Sequence, residues 1–158
     1  MDEPANSSTV AGWREWVSLP DLGVEWIKAK LDTGARTSAI HAFDIEEIHT
    51  DGMPRVRFSV RPWQRADDDV VTATAPLLDR RVVRSSNGQA EERLTIPLTI
   101  RVLGRDIDSH VTLSNRDEMG FRLLIGREAL RQGILVDSDR SYVGGRPRVA
   151  TRRRNWGR

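Results

Sequence analysis

The chain has 158 residues, of which 38% are hydrophobic and 30% charged, with no cysteine and a formal net charge of +2. That length carries one domain with a real core, and the missing cysteines exclude a disulfide framework and a thiolate metal site. The polar N-terminus MDEPANSSTVAG lacks the basic start and apolar run of a signal peptide, and no apolar stretch is long enough to span a membrane; the expectation is a cytoplasmic protein with no membrane partner.

The near-neutral charge hides an asymmetry. Residues 146–158 hold six Arg and no acid, which leaves 19 basic against 23 acidic residues in 1–145, a net of −4. The basic character is a tail, and the expected organisation is a disordered N-terminus over 1–11, one domain over 12–145 and a basic, flexible tail over 146–158. Lys28 and Lys30 are the only lysines.

In chain order, Trp13 to Leu19 reads as a strand, Pro20-Asp21-Leu22-Gly23 as a turn, and Val24 to Leu31 as the returning strand, in which Ile27, Ala29 and Leu31 alternate with Lys28 and Lys30. Ser38 to Ile48 holds a further strand. Asp51-Gly52 is a hairpin signal before Arg55 to Val60, and Pro62 to Asp69 reads as a surface loop. Val70 to Leu78 and Arg80 to Arg84 follow, then a turn at Ser85-Ser86-Asn87-Gly88. Leu94 to Leu103 and Ile107 to Leu113 form a hairpin around Gly104-Arg105. Phe121 to Ile125 is a short apolar strand, Glu128 to Gln132 suits about one and a half helical turns closed by Gly133, and Ile134 to Val136 and Tyr142-Val143 are late strands. Many short strands at close spacing with one clear helix favour an all-β, barrel-like fold.

The returning strand delivers Asp32-Thr33-Gly34. A carboxylate at the tip of a rigid strand, on a turn that glycine lets close tightly, is well placed for acid or base work. As a bare tripeptide, Asp-Thr-Gly is most often an ordinary loop. What sets it apart here is Leu123-Leu124-Ile125-Gly126-Arg127, a hydrophobic strand ending in Gly-Arg before a short helix.

Together with Gly12-Trp13-Arg14-Glu15-Trp16-Val17, Leu19 to Gly23, the run IKAKLDTGARTSAIHA over 27–42, RRVVRSSNG over 80–88, TLSNRDEMGFRLLIGREAL over 112–130 and Ser141-Tyr142, this pair of motifs resembles one bacterial family, called RimB-like or ATP-dependent zinc protease. The resemblance covers roughly residues 12 to 144. It implies a mainly β, retropepsin-like closed β-barrel with one short helix after the Leu-Leu-Ile-Gly strand, and an aspartic-type peptidase. Two carboxylates would share a proton, one activating water and the other protonating the leaving nitrogen. The chain carries a single Asp-Thr-Gly, so the second Asp32 would come from another copy across a two-fold axis, which implies a homodimer. In that resemblance Asp32, Thr33 and Gly34 are catalytic, with Thr33 bonding across the dimer, and Ala35, Ile125, Gly126 and Arg127 support the site. Ala35 stands where many aspartic proteases carry Ser or Thr; without that hydroxyl, work nearer neutral pH is expected.

The family name promises zinc and ATP, but the sequence carries neither signature. His41, His49 and His110 form no His-Glu-x-x-His pattern, and there is no Gly-rich loop ending in Gly-Lys-Ser/Thr. No metal or cofactor is expected, nor any dependence on zinc or ATP. Family members resemble and often accompany RimK-type ligases, which add glutamates to a protein C-terminus, so the implied substrate is a glutamate-rich tail, such as that of a ribosomal protein. Arg36, Arg80, Arg81, Arg84 and Arg116 are the candidate carboxylate-binding residues, since Arg grips a carboxylate with two parallel hydrogen bonds; for most single arginines, pairing with the chain's own acids is the commoner role. Two other readings stay open. One is a non-catalytic module of this fold that binds acidic peptides. The other is an RNA- or ribosome-associated protein acting through Arg152-Arg153-Arg154 and Trp156 of the tail.

Overall fold

A computed structural model describes residues 7–63, 70–84, 88–114 and 120–154. The expected loop at 62–69 falls largely outside these residues, as do Arg116 and Trp156. Among the described residues eleven strands and two short helices follow in chain order: β1 (Thr9–Leu19), β2 (Val24–Leu31), β3 (Ser38–His41), β4 (Phe43–Thr50), β5 (Met53–Val60), β6 (Val71–Pro76), β7 (Asp79–Arg84), β8 (Ala90–Val102), β9 (Arg105–Ser114), β10 (Leu123–Ile125), α1 (Arg127–Leu130), β11 (Ile134–Ser141) and α2 (Val149–Arg154).

The sheet order is β11-β1-β2-β10-β3-β9-β8-β7, and β8 pairs back onto β1 where Ser18 faces Arg101. The strands β1, β2, β10, β3, β9 and β8 therefore form a closed ring of pairings, with β11 and β7 outside it as the ends of the sheet. A second sheet, β4-β5-β6, packs alongside.

The alternation of β2 does what its sequence dictates. Ile27, Ala29 and Leu31 are buried while Lys28 and Lys30 are only partly covered. The buried row meets Ile40, Leu123 and Ile125 in one core with Phe58, Ile96, Ile100 and Ile107. Burying each such side chain is worth roughly 1.5–3 kcal/mol. The β1–β2 turn is a 3-10 turn over Pro20–Leu22, opened by the pre-set φ of Pro20 and closed by Gly23 at φ 68.

Several boundaries differ from the sequence reading. β1 starts at Thr9, inside the segment expected to be disordered, because Thr9 to Gly12 pair in parallel with Ile134 to Asp137. Thr9 N–H also donates to Gly133 O, and Arg105 Nε–H reaches Thr9 Oγ1. The expected strand over 38–48 is two strands in different sheets, broken at Ala42 and followed by Asp44 at φ 50. Tyr142-Val143 is no strand: Tyr142 sits at φ 55, and the preceding strand runs on to Ser141. Within the tail, Val149–Arg154 is helical. No helix among the described residues is long and apolar enough to cross a membrane.

Candidate active site

The Asp-Thr-Gly turn is held from below by backbone. Asp32 N–H donates to Ile125 O at 2.8 Å, continuing the parallel β2–β10 pairing one residue past Leu31. Gly34 N–H donates to Asp32 Oδ1 at 2.9 Å, and Ala35 N–H to Asp32 O at 3.2 Å. One carboxylate oxygen is thereby fixed by the turn itself. Asp32 is half-buried, and Thr33 and Gly34 are exposed, so the turn is presented at the molecular surface.

The Ile125-Gly126-Arg127 segment crosses behind this turn. Arg127 N–H donates to Ala35 O at 2.8 Å, Glu128 N–H to Arg36 O at 3.1 Å, and the Arg127 guanidinium to Gly34 O at 3.3 Å. A side chain at position 126 has no room, since its Cβ would lie 2.5 Å from Thr37 O. Two residues the sequence did not flag complete the support. Ser38 Oγ, fully buried, accepts Gly126 N–H at 3.1 Å and the Ser109 hydroxyl at 2.9 Å. Their signal exists only in three dimensions, because Ser38 and Ser109 are 71 positions apart.

The arginines divide by location. Arg36 leaves the turn directly, with a side chain 75% exposed and Nε 3.6 Å from a Glu128 carboxylate. An exposed pair of that kind is worth about 0.2–1 kcal/mol, so a better-placed carboxylate can displace Glu128. Arg80, Arg81 and Arg84 lie on β7, beyond β8 at the end of the sheet order and apart from the turn. Arg80 bonds Glu47 and approaches Glu92 at 3.7 Å, and Arg81 bonds Asp79 at 3.2 Å. The Arg80 hydrogen bond holds the Glu47 carboxyl below the usual carboxylate range, against a weaker opposing effect of desolvation. In Arg80→Gln, an NMR titration of Glu47 should show it moving back up; an unmoved Glu47 would mean that Arg80 is not its partner in solution.

Zinc finds no fitting donor set among the described residues. Among the described residues no group of three His, Asp or Glu could hold a metal ion. His41 is buried, with Nδ1 3.2 Å from an Arg122 guanidinium nitrogen. Arg can only donate, so this nitrogen of His41 accepts. His49 and His110 are exposed, on β4 and β9. A pocket of about 320 Å3 lies between α1 and β9, lined by Thr37, Ser38, His110, Glu128 and Gln132 among others. Asp32 is not part of its lining.

A closed strand barrel that presents one Asp-Thr-Gly, locked to a hydrophobic strand ending in Gly-Arg, is a single-lobed retropepsin-like fold. The chain belongs to the RimB-like family, described as "Retropepsin-like aspartic endopeptidase RimB", whose family model matches residues 10–147. A Shewanella pealeana protein named "Probable alpha-L-glutamate ligase" is 40% identical over 141 residues, 89% of this chain and 31% of that protein. One of the same name from Desulfotalea psychrophila is 41% identical, over 81% of this chain and 28% of that protein. The chain thus spans about a third of the length of these curated relatives. The crystal structure of Lpg0085, a Legionella pneumophila protein of unknown function, is 26% identical with a TM-score of 0.74, covering 87% of this chain and 99% of that one.

Proposed function

We propose that this chain is an aspartic peptidase that works as a homodimer, with Asp32 from each copy forming the catalytic pair, and that it trims glutamate tails added to a protein C-terminus by a RimK-type ligase. The observation that carries the reading is the Asp32 turn: a carboxylate fixed by Gly34 N–H, at the surface and outside the pocket between α1 and β9. Such a site is half of one. A second copy meeting it across a two-fold axis supplies the other carboxylate and the walls that exclude water. The glutamate link is supported by the relatives, which carry a segment similar to this chain within proteins named as glutamate ligases. Arg36 is the arginine placed to meet a substrate carboxylate, and cytoplasmic location and a ribosomal-protein substrate follow from the same reading.

The experiment is a cleavage assay, without added zinc or ATP, on a peptide ending in several Glu and on its Gln counterpart, with sedimentation to establish the dimer. Gln keeps size and hydrogen-bonding capacity but not charge. Removing a charge-assisted hydrogen bond from a water-excluded cleft costs roughly 1.5–3 kcal/mol, or about ten- to a hundredfold in rate. The Glu peptide should therefore be cleaved at least tenfold faster, and Arg36→Ala should cost the Glu peptide more than the Gln peptide. Equal rates on both would remove the glutamate specificity. Binding of the Glu peptide by a dimer that never cleaves it would leave the acidic-peptide module as the function.

A further inference from the structure

Three cations converge on one aromatic ring at the C-terminal end of the barrel. Relative to the Tyr142 ring centroid, the Arg146 guanidinium lies at 4.5 Å, that of Arg14 at 5.0 Å and the Lys28 ammonium at 5.9 Å. Lys28 also lies 5.2 Å from the ring of Trp16, which is buried against Trp63. A fourth cation adjoins them, because Lys30 stands directly opposite Arg14 in the β1–β2 register. Like charges directly opposite on a sheet are destabilising. Among the described residues no carboxylate pairs with Arg14, Lys30 or Arg146; Arg14 Nε–H goes to the neutral Ser141 hydroxyl at 3.1 Å. Asp137 on the neighbouring strand accepts Asp139 N–H instead.

The arrangement is built at a cost. Tyr142 is held at φ 55, a conformation unfavourable for a tyrosine. Its N–H donates to Arg14 O at 3.0 Å. The next two residues are clamped by a fully buried carboxylate: Glu15 Oε2 accepts Val143 N–H at 2.9 Å and Oε1 accepts Gly144 N–H at 3.0 Å. Glu15 Oε2 also accepts Gly12 N–H at 2.6 Å, so backbone donors occupy both of its oxygens.

We infer that Arg14, Lys28 and Arg146, ordered around Tyr142, form with Lys30 opposite Arg14 a recognition face for a carboxylate-rich extended peptide, running along β2 toward Asp32. The spacing fits. Lys28 and Lys30 lie two residues apart on one face, about 6.6 Å along the strand, and Asp32 continues the same alternation. Alternate side chains of an extended peptide repeat at that same distance. Cations lying over the ring cover the aromatic surface that a nucleotide base would stack on. A guanidinium stacked on a ring keeps its in-plane N–H donors for carboxylates. The inference deepens the proposed function by naming the residues that read an acidic substrate, and its test reads binding alone, so its failure is separable from a failure to cleave.

The test is fluorescence anisotropy of a labelled octaglutamate peptide against the 158-residue chain carrying Asp32→Asn, with Lys30→Gln, Arg146→Gln and both together in that background. Each single change should weaken binding about fivefold, as for a partly exposed ion pair, and the double change more. The dependence on salt should fall with each cation removed. The melting temperature of Lys30→Gln should not drop, because the change relieves the repulsion with Arg14; that separates recognition from folding. Octaglutamate binding that is undetectable, or unchanged in the double variant, or matched by octaglutamine, would overturn the inference. So would tighter binding of an oligouridine RNA at equal salt, which would make the face a nucleic-acid surface.

Discussion

Asp32→Asn should abolish peptidase activity, by at least about a thousandfold in turnover, and leave the fold as it is. An amide cannot take a proton from water and return it to a leaving nitrogen, and positioned acid–base chemistry contributes about 10²–10⁴-fold. The same substitution preserves what the turn needs. The Asn side-chain oxygen can still accept Gly34 N–H, and the backbone bonds from Asp32 N–H to Ile125 O and from Ala35 N–H to Asp32 O do not involve the side chain. The melting temperature should stay within about 2 °C, as for a near-isosteric surface change. Turnover and thermal unfolding measured on one preparation decide it. Comparable turnover in the folded variant would end the aspartic reading, and loss of both together would mean that the carboxylate charge holds the turn.

Local sequence pattern carries much of this. The alternation of Ile27, Ala29 and Leu31 marks the buried face of β2 and its end point, and so places Asp32 at a strand tip. Leu123-Leu124-Ile125-Gly126 likewise marks the partner strand and the start of the helix. What stays hidden depends on partners far along the chain. Thr9 to Ala11 read as part of a disordered N-terminus because nothing nearby reveals that Ile134 to Val136 will pair with them. The break at Ala42 is set by which sheet each half joins, and no alternation of side chains encodes that choice. Arg80 reads as available for substrate, yet Glu47, 33 positions earlier, occupies it. Glu15 reads as one letter of a motif, while the fold makes it a buried clamp on residues 143 and 144. Charges are legible in composition; their partners are settled by topology.

Gly126 concentrates the link between stability and the site. Its φ is −89°, an angle open to any residue, so a substitution there tests packing and not backbone freedom. A Cβ at that position would lie 2.5 Å from Thr37 O, 2.6 Å from Thr37 C and 2.8 Å from Thr37 N. All three are backbone atoms, which cannot swing aside as a flexible side chain can. Relief requires the 35–38 segment to move off the 125–127 segment. That movement strains the bonds from Arg127 N–H to Ala35 O, from Glu128 N–H to Arg36 O, and from Gly126 N–H to Ser38 Oγ. Gly126→Ala should therefore destabilise by about 3 kcal/mol or more, the upper range for overpacking, which for a domain of this size lowers the melting temperature by about 6–12 °C. Gly104→Ala is the control. It sits at φ 79 in the β8–β9 turn with no atom outside its own chain neighbours within 4 Å of its would-be Cβ, so it carries only the left-handed-backbone cost of about 1–2 kcal/mol. The two variants should also part in activity when assayed well below either melting temperature. Gly126→Ala shifts the turn that carries Asp32, and a misplacement of about 1 Å can cost about a hundredfold, whereas Gly104→Ala should keep wild-type turnover. If both variants lose the same stability and the same activity, the crossing of 125–127 behind the Asp-Thr-Gly turn is not what positions Asp32.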